Sequence, residues 1–139
     1  NSIIGIVLTE KIPDDKKAIL EKVQHDLFDI GGELSIPNHI KIDDKKIDYL
    51  EKNLDEMNKD LQSLEEFILP GGSKISSYCH LARTVCRRVE RNLFKLAQTD
   101  KVNEASLKYI NRLSDMLFVL ARFLNKINHL DDIFWKKDI

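Results

Sequence analysis

The sequence predicts an all-α protein, an up-and-down bundle of five helices in a single domain over residues 1–139. Apolar residues recur every three or four positions along most of the chain, and this spacing lines one face of an α-helix. Only five Gly and three Pro are present, which favours long helices over a turn-rich β fold. A hydrophobic content of 42% beside 32% charged residues allows a core beneath a charged surface.

The first two helices, α1 and α2, are predicted before residue 35. α1 covers residues 2–9 and begins inside an apolar run with no capping residue, so we expect it to be truncated and a natural N-terminal segment to be missing. After a turn at Pro13, α2 is expected over residues 15–30, where Gly31-Gly32 ends or loosens it. The apolar pattern nevertheless continues as far as Leu34.

The third helix, α3, is expected to start near Asp43. Its apolar residues alternate by three and four, which is typical of a narrow bundle contact, and the pattern reaches the neighbourhood of Phe67. The sequence Pro70-Gly71-Gly72 then breaks the chain, because proline and adjacent glycines interrupt helices. Phe67 is thus expected at the end of α3, with its ring facing a groove beside this turn.

Two further helices are predicted after the break. Ser73 is a good N-cap residue for α4, which we expect to run to about residue 98. A turn over residues 99–103 leads into α5, expected over residues 103–125. Because the connection is short, α4 and α5 should pack antiparallel. The tail to residue 139 is expected to be short and partly ordered.

The most informative residues are the arginines of α4. Arg83, Arg87 and Arg91 are four residues apart and therefore share one face of the helix. Like charges at this spacing repel unless an anion or carboxylates lie between them. Arginine also binds phosphate through two parallel hydrogen bonds. The spacing indicates a polyanion site, with an ordinary solvated arginine face as the alternative.

Several classes of function are disfavoured by composition. A net charge of −1 argues against nucleic-acid binding through bulk charge, and no apolar run approaches the roughly 20 residues of a membrane span.

Cys79 and Cys86 lie about 10 Å apart on one helix, too far for a disulfide, so we expect buried thiols. Glu21 and His25 lack a second Glu-x-x-His pair, so no resident metal is predicted.

The stretch that contains the arginines also resembles a known family, the PduO-type ATP:cob(I)alamin adenosyltransferases. Three matching motifs are FILPGGS at residues 67–73, HLART at residues 80–84 and RRVER at residues 87–91. A fourth, YINRLSDMLF, follows at residues 109–118, and the weaker DIGGEL lies at residues 29–34. Long motifs in the right order make the resemblance specific.

This resemblance implies an enzyme that transfers the 5′-deoxyadenosyl group of ATP to cob(I)alamin, giving adenosylcobalamin and triphosphate. It implies Mg²⁺ with the ATP, and a homotrimer whose active sites lie between neighbouring subunits. Neither a nucleic acid nor a membrane is an expected partner. The expected location is the cytoplasm, or the mitochondrial matrix if the source is eukaryotic.

On the ATP side, the resemblance assigns nucleotide binding to Arg87, Glu90, Arg91 and Asn111. Arg88 belongs to the same motif but points about 100° away from Arg87, so it should matter less for ATP directly. Arg87 and Arg91 would stabilise the charge of the leaving triphosphate. The residues themselves are compatible with this, because antiparallel packing can bring Asn111 near the arginine turn and an amide suits a purine or ribose edge.

On the corrinoid side, the resemblance places Phe67 at the lower face of the cobalt and Arg83 in an ion pair with an acid near the corrinoid. That acid would lie three residues before Asn1. The family's N-terminal loop, which wraps the triphosphate, would also precede Asn1. From the residues alone, a core phenylalanine remains the default for Phe67. A plain turn with a cap is likewise the simpler interpretation of residues 70–73.

A second function remains open at this point. The chain could be a non-enzymatic helical bundle that binds an acidic or phosphorylated partner through its arginine face. His80 is expected to be a packed or helix-bonded histidine.

Overall fold

The computed structural model describes residues 1–137, and within them the chain forms five α-helices. They are α1 (Ser2–Leu8), α2 (Asp14–Ser35), α3 (Asp44–Asn58), α4 (Lys74–Leu96) and α5 (Glu104–Ile127). The predicted all-α helical bundle is therefore confirmed. Among the described residues, the only β pairing is one isolated antiparallel bridge between Ile68 and Phe134.

The centre of the bundle is α5, which packs along both α4 and α3. Its apolar residues cover more than one face, so most of the helix is buried, with Tyr109, Leu113, Met116, Leu117 and Leu124 at 0–1% exposure. Burial of such side chains stabilises by roughly 1.5–3 kcal/mol each. Because α5 is fixed on two sides, the polar residues it carries are held in defined positions.

α4 lies against α5 through a stripe of small and apolar residues. Ile75, Cys79, Ala82 and Cys86 are buried there. Burial raises the pKa of each cysteine thiol to about 12, so these thiols are protonated and inert near neutral pH. Val89, which continues the same spacing, is 37% exposed at the edge of this stripe.

Polar caps fix the starts of the helices. The predicted cap of α4 is confirmed, since the Ser73 hydroxyl accepts a hydrogen bond from the Ser76 amide. Asn103 caps α5 in the same way through the Ala105 amide. These bonds satisfy amides that have no partner within the helix.

α2 continues past the two glycines that were expected to end or loosen it, and it stops at Ser35. The Glu33 side chain explains this extension, because it accepts hydrogen bonds from the amides of Lys41 and Ile42 and from the side chain of Asn103. These contacts hold residue 33 in the helix against the start of α5. Each of the two glycines lowers helix propensity by only about 1 kcal/mol, and the hydrogen bonds to the charged Glu33 together outweigh this cost.

α3 is shorter than the sequence pattern suggested. It ends at Asn58 rather than near Phe67, so the predicted boundary is wrong. Beyond it, the carbonyl of Gln62 accepts from the Arg122 guanidinium of α5, and the carbonyl of Asp60 accepts from Lys126. Side chains of α5 thus take up backbone acceptors that a longer helix would have used itself.

The segment after α3 is instead paired with the tail of the chain. The Leu69 amide donates to the Ile133 carbonyl, and the Trp135 amide donates to the Phe67 carbonyl, both at 2.7 Å. An ion pair of 2.7 Å between Arg122 and Asp132 anchors the tail to α5. The tail is therefore ordered through most of its length, and only its last two residues lie outside the described part.

Within residues 1–137, none of the helices combines the length and the apolar character that a membrane span requires.

Candidate active site

Arg83, Arg87 and Arg91 follow at four-residue intervals along one face of α4, and Arg88 points about 100° away from Arg87. Arg87, Arg88 and Arg91 are exposed and Arg83 is half-buried. Within residues 1–137, neither Arg88 nor Arg91 forms an ion pair with a carboxylate, whereas Arg87 does. Guanidiniums that are not neutralised by the protein itself are available for an anionic ligand.

A buried carboxylate organises the middle of this face. Glu90 is 5% exposed; one of its oxygens accepts from Arg87 Nη1 and the other from Asn111 Nδ2 at 2.7 Å. The predicted approach of Asn111 to the arginine turn is therefore observed. Because a buried carboxylate needs partners, Glu90 fixes the directions of both side chains. The Arg87 side chain remains 46% exposed and keeps donors for a ligand.

Next to this face lies an open cleft with a volume of about 690 Å³. It is bounded by the segment after α3, by α4 and by α5. Its lining includes aromatic, cationic and acidic side chains, namely Phe67, His80, Arg83, Arg112, Asp115 and Phe118. Arg83 belongs both to the arginine face and to the cleft, so the two are contiguous.

Phe67 lies in the segment after α3, not at the end of that helix. Its side chain is 79% exposed, so the default interpretation as a core phenylalanine is wrong, and the predicted outward orientation is confirmed. Its backbone is held by the hydrogen bond from the Trp135 amide. An apolar ring kept exposed at a cleft is a common mark of a ligand contact.

The turn between this segment and α4 is locked by Asn125, a residue that sequence reasoning missed. The Asn125 side-chain oxygen accepts from the Ser73 amide at 2.9 Å, and its amide donates to the Gly71 carbonyl at 3.1 Å. Gly72 has φ +93°, and a Cβ there would lie 2.4 Å from Asn125. The turn therefore serves as the N-cap of α4 and is held in place by Asn125. Because the Ser73 amide already donates to Asn125, it is not free to bind a phosphate, which argues against a phosphate-binding loop.

Arg83 and His80 meet on one aromatic ring of α5. The Arg83 guanidinium lies 5.2 Å from the centre of the Phe118 ring, and the His80 ring meets the same ring edge-on at 6.0 Å. Burial, helped by Arg83 and opposed by Asp132, lowers the pKa of His80, so the imidazole is neutral near pH 7. His80 is packed as expected, but within residues 1–137 neither ring nitrogen has a hydrogen-bond partner.

The cleft lining also carries a charged pair that was given no role from the sequence. Arg112 lies 3.2 Å from Asp115 and 2.8 Å from Glu51 of α3. The signal was present, because Arg112 and Asp115 are both in the motif of residues 109–118 that carries the family resemblance.

Exposed arginines beside a large aromatic-lined cleft of a helical bundle suit a class of protein that binds a phosphorylated ligand and a bulky second ligand side by side. The family described as cobalamin adenosyltransferase matches residues 1–124. The chain belongs to this family, as the motifs indicated.

Similar proteins agree with this assignment. A cobalamin adenosyltransferase from Cupriavidus metallidurans is 48% identical over 139 residues, which cover 99% of this chain and 76% of that protein. A corrinoid adenosyltransferase from Bacillus subtilis is 38% identical over 144 residues, covering 99% and 75%. The structure of a PduO-type ATP:corrinoid adenosyltransferase variant from Lactobacillus reuteri, complexed with cobalamin and ATP, matches with a TM-score of 0.92 at 30% identity, covering 99% of this chain and 80% of that one.

Proposed function

We propose that this chain catalyses the reaction of its family, the transfer of the 5′-deoxyadenosyl group of ATP to cob(I)alamin, with adenosylcobalamin and triphosphate as products. The observation that carries the proposal is the continuity of the arginine face with the cleft through Arg83. One surface suits the triphosphate and the other suits a large ring system. The reaction needs both substrates in contact.

The chemistry requires positioning more than proton transfer. Cobalt(I) attacks C5′ of the ribose, a Co–C bond forms, and the C5′–O bond to the triphosphate breaks. The nucleophile is the cobalt of the substrate itself, so the protein needs no general base. Its contribution is to orient C5′ and to stabilise the charge of the leaving group.

We assign that charge stabilisation to Arg87 and Arg91. Arg87 is oriented by Glu90, and Asn111 shares the same carboxylate, so a nucleotide bound here would meet a fixed guanidinium and a fixed amide. Arg88 is the more peripheral member of the ATP-binding set. Mg²⁺ would accompany the ATP and be held chiefly by its phosphate oxygens.

On the corrinoid side, we assign the lower face of the cobalt to Phe67. Its exposed ring can fill the space of the lower axial ligand and exclude that ligand. Arg83, stacked on Phe118, would lie at the wall of the same site. The pairing of Phe67 with the tail holds the ring at this position.

The alternative, a non-enzymatic bundle that binds an acidic partner, is not favoured, because family membership points to the transferase. A binding experiment separates the two. The melting temperature of the purified protein should rise by several degrees with Mg-ATP, and reduced corrinoid should raise it further, because each ligand stabilises the state that binds it. Protection by acidic peptides without protection by Mg-ATP or corrinoid would contradict the proposal.

A further inference from the structure

His80 is a buried polar residue whose hydrogen bonds are missing. Its side chain is 3% exposed, and within residues 1–137 neither Nδ1 nor Nε2 has a partner. More than nine in ten buried polar groups in proteins are hydrogen-bonded, and each exception requires an explanation. An unpaired buried group costs roughly 1–3 kcal/mol, which the fold tolerates here.

The position of His80 suggests what the missing partner is. The residue lines the cleft one turn before Arg83, and its ring meets Phe118 edge-on. Phe118 lines the same cleft and is only half-buried. A neutral imidazole offers one N–H donor and one lone-pair acceptor.

We propose that His80 is a substrate-contacting residue that determines specificity, and that, once the Phe118 ring moves aside, the lone-pair nitrogen of its imidazole accepts a hydrogen bond from a primary amide on the rim of the corrin ring. This inference rests on the proposed function. The two imidazole nitrogens point in divergent directions, so one amide reaches only one of them, and an amide N–H can donate to the lone-pair nitrogen. A carboxylate at the same place only accepts, and it would leave the acceptor nitrogen of the imidazole unpaired. His80 therefore favours amidated corrinoids over their carboxylate precursors.

The first test replaces the imidazole by a ring that cannot form hydrogen bonds. His80→Phe should raise the KM for cob(I)alamin on the order of tenfold, the loss expected for one neutral hydrogen bond. The KM for ATP should stay within about twofold. The melting temperature should be unchanged or higher, because an apolar ring removes an unsatisfied buried group. If the phenyl ring of His80→Phe does not fit, His80→Leu serves as the second variant for the same measurements.

Two further variants separate this role from packing. His80→Gln retains a donor and an acceptor and should recover much of the corrinoid affinity. His25→Phe changes an exposed histidine of α2 and should alter neither KM. Corrinoid affinity is also measured by absorbance titration, which does not depend on turnover.

The decisive comparison uses two corrinoids, one with its rim amides intact and one with them hydrolysed to carboxylates. The unaltered protein should prefer the amidated form, and His80→Phe should lose most of that preference. An unchanged corrinoid KM or an unchanged preference in His80→Phe would overturn the inference, as would a fall in melting temperature with equal losses for ATP and corrinoid. If the unaltered protein neither binds nor converts any corrinoid, the proposed function fails together with this inference; if it is active and His80→Phe matches it, only the inference fails.

Discussion

At the scale of single residues, the site depends on a few buried polar side chains that hold others in place. Glu90 orients Arg87 and Asn111, and Asn125 fixes the turn before α4. Each carries several hydrogen bonds in a region of low dielectric, where such bonds are strong and an unpaired group is costly. Small changes at these residues should therefore have specific effects.

The first prediction concerns the arginine face. Arg87→Ala and Arg91→Ala should each lower kcat/KM for ATP about 30- to 1000-fold, because losing one charged contact to a partly buried phosphate costs about 2–4 kcal/mol. Arg88→Ala is the matched control and should have a smaller effect on ATP. Steady-state kinetics on folded variants measure this, and an Arg88→Ala defect in ATP binding as large as that of Arg87→Ala would refute the assignment of the face.

The second prediction concerns the dependence of stability on pH. Burial alone would raise the pKa of Glu33, but hydrogen bonds from Ser106, from the amides of Ile42 and Lys41 and from Asn103 outweigh it and lower the pKa below its ordinary 4.5. A carboxyl group whose pKa is lowered by folding stabilises the folded protein fully at any pH above the pKa that it has in the unfolded chain. This contribution is lost as the pH falls through the pKa of the folded state.

Glu33→Gln should therefore lower the free energy of unfolding most near neutral pH, by about 1.5–3 kcal/mol, the worth of hydrogen bonds to a charged group. The difference from the unaltered protein should shrink below about pH 4.5. Thermal unfolding from pH 7 to pH 3 measures both curves. A difference that stays constant or grows as pH falls would show that the carboxylate charge is not what stabilises this end of α2.

At the scale of elements, the segment after α3 and the tail of the chain act as one unit. Two backbone hydrogen bonds join them, and the Arg122–Asp132 ion pair connects them to α5. This unit, rather than a helix end, holds Phe67 at the cleft. The exposed ring contributes little to the core, so its removal should affect chemistry rather than folding.

The third prediction follows from that exposure. Phe67→Ala should change the melting temperature by no more than a few degrees, whereas truncation of a core phenylalanine would cost about 3–5 kcal/mol. ATP affinity should stay near normal, but turnover of cobalamin should collapse, because the lower ligand would remain on the cobalt. A corrinoid without the tethered base should be affected less. A large fall in melting temperature with equal losses for both corrinoids would return Phe67 to a structural role.

The helices and turns differ in how well the sequence alone predicts them. Periodicity was sufficient for the helical bundle, and local chemistry was sufficient for the Ser73 cap, because both depend on neighbours in the chain. The end of α3 was not predictable in this way, since α5 side chains and the tail take its backbone groups. Asn125 was missed for the same reason: its partners lie 52 and 54 residues away.

At the scale of the whole molecule, the site is open on the single chain. Its arginines and its cleft both face outward, and large apolar side chains such as Phe28 and Phe94 are 78% and 54% exposed. Exposed aromatic residues of this size often mark contacts between proteins. The homotrimer implied by the family resemblance would bury such surface and place a neighbouring subunit over the site.

The fourth prediction is this oligomeric state. Light scattering on the purified protein should give a mass about three times that of the 16.1 kDa chain, and the value should persist on dilution through the concentrations used for kinetics. A stable monomer that is fully active would show that a single chain completes the site.

The central claim is that the arginine face and the cleft form one active site for adenosyl transfer. The most direct measurement follows both products when the purified protein meets Mg-ATP and chemically reduced cobalamin. Adenosylcobalamin, detected by absorbance, and triphosphate, detected by chromatography, should appear in equal amounts. Triphosphate should not form without the corrinoid. Release of pyrophosphate or phosphate instead, or no Co–C bond formation by a protein that binds both substrates, would contradict the account.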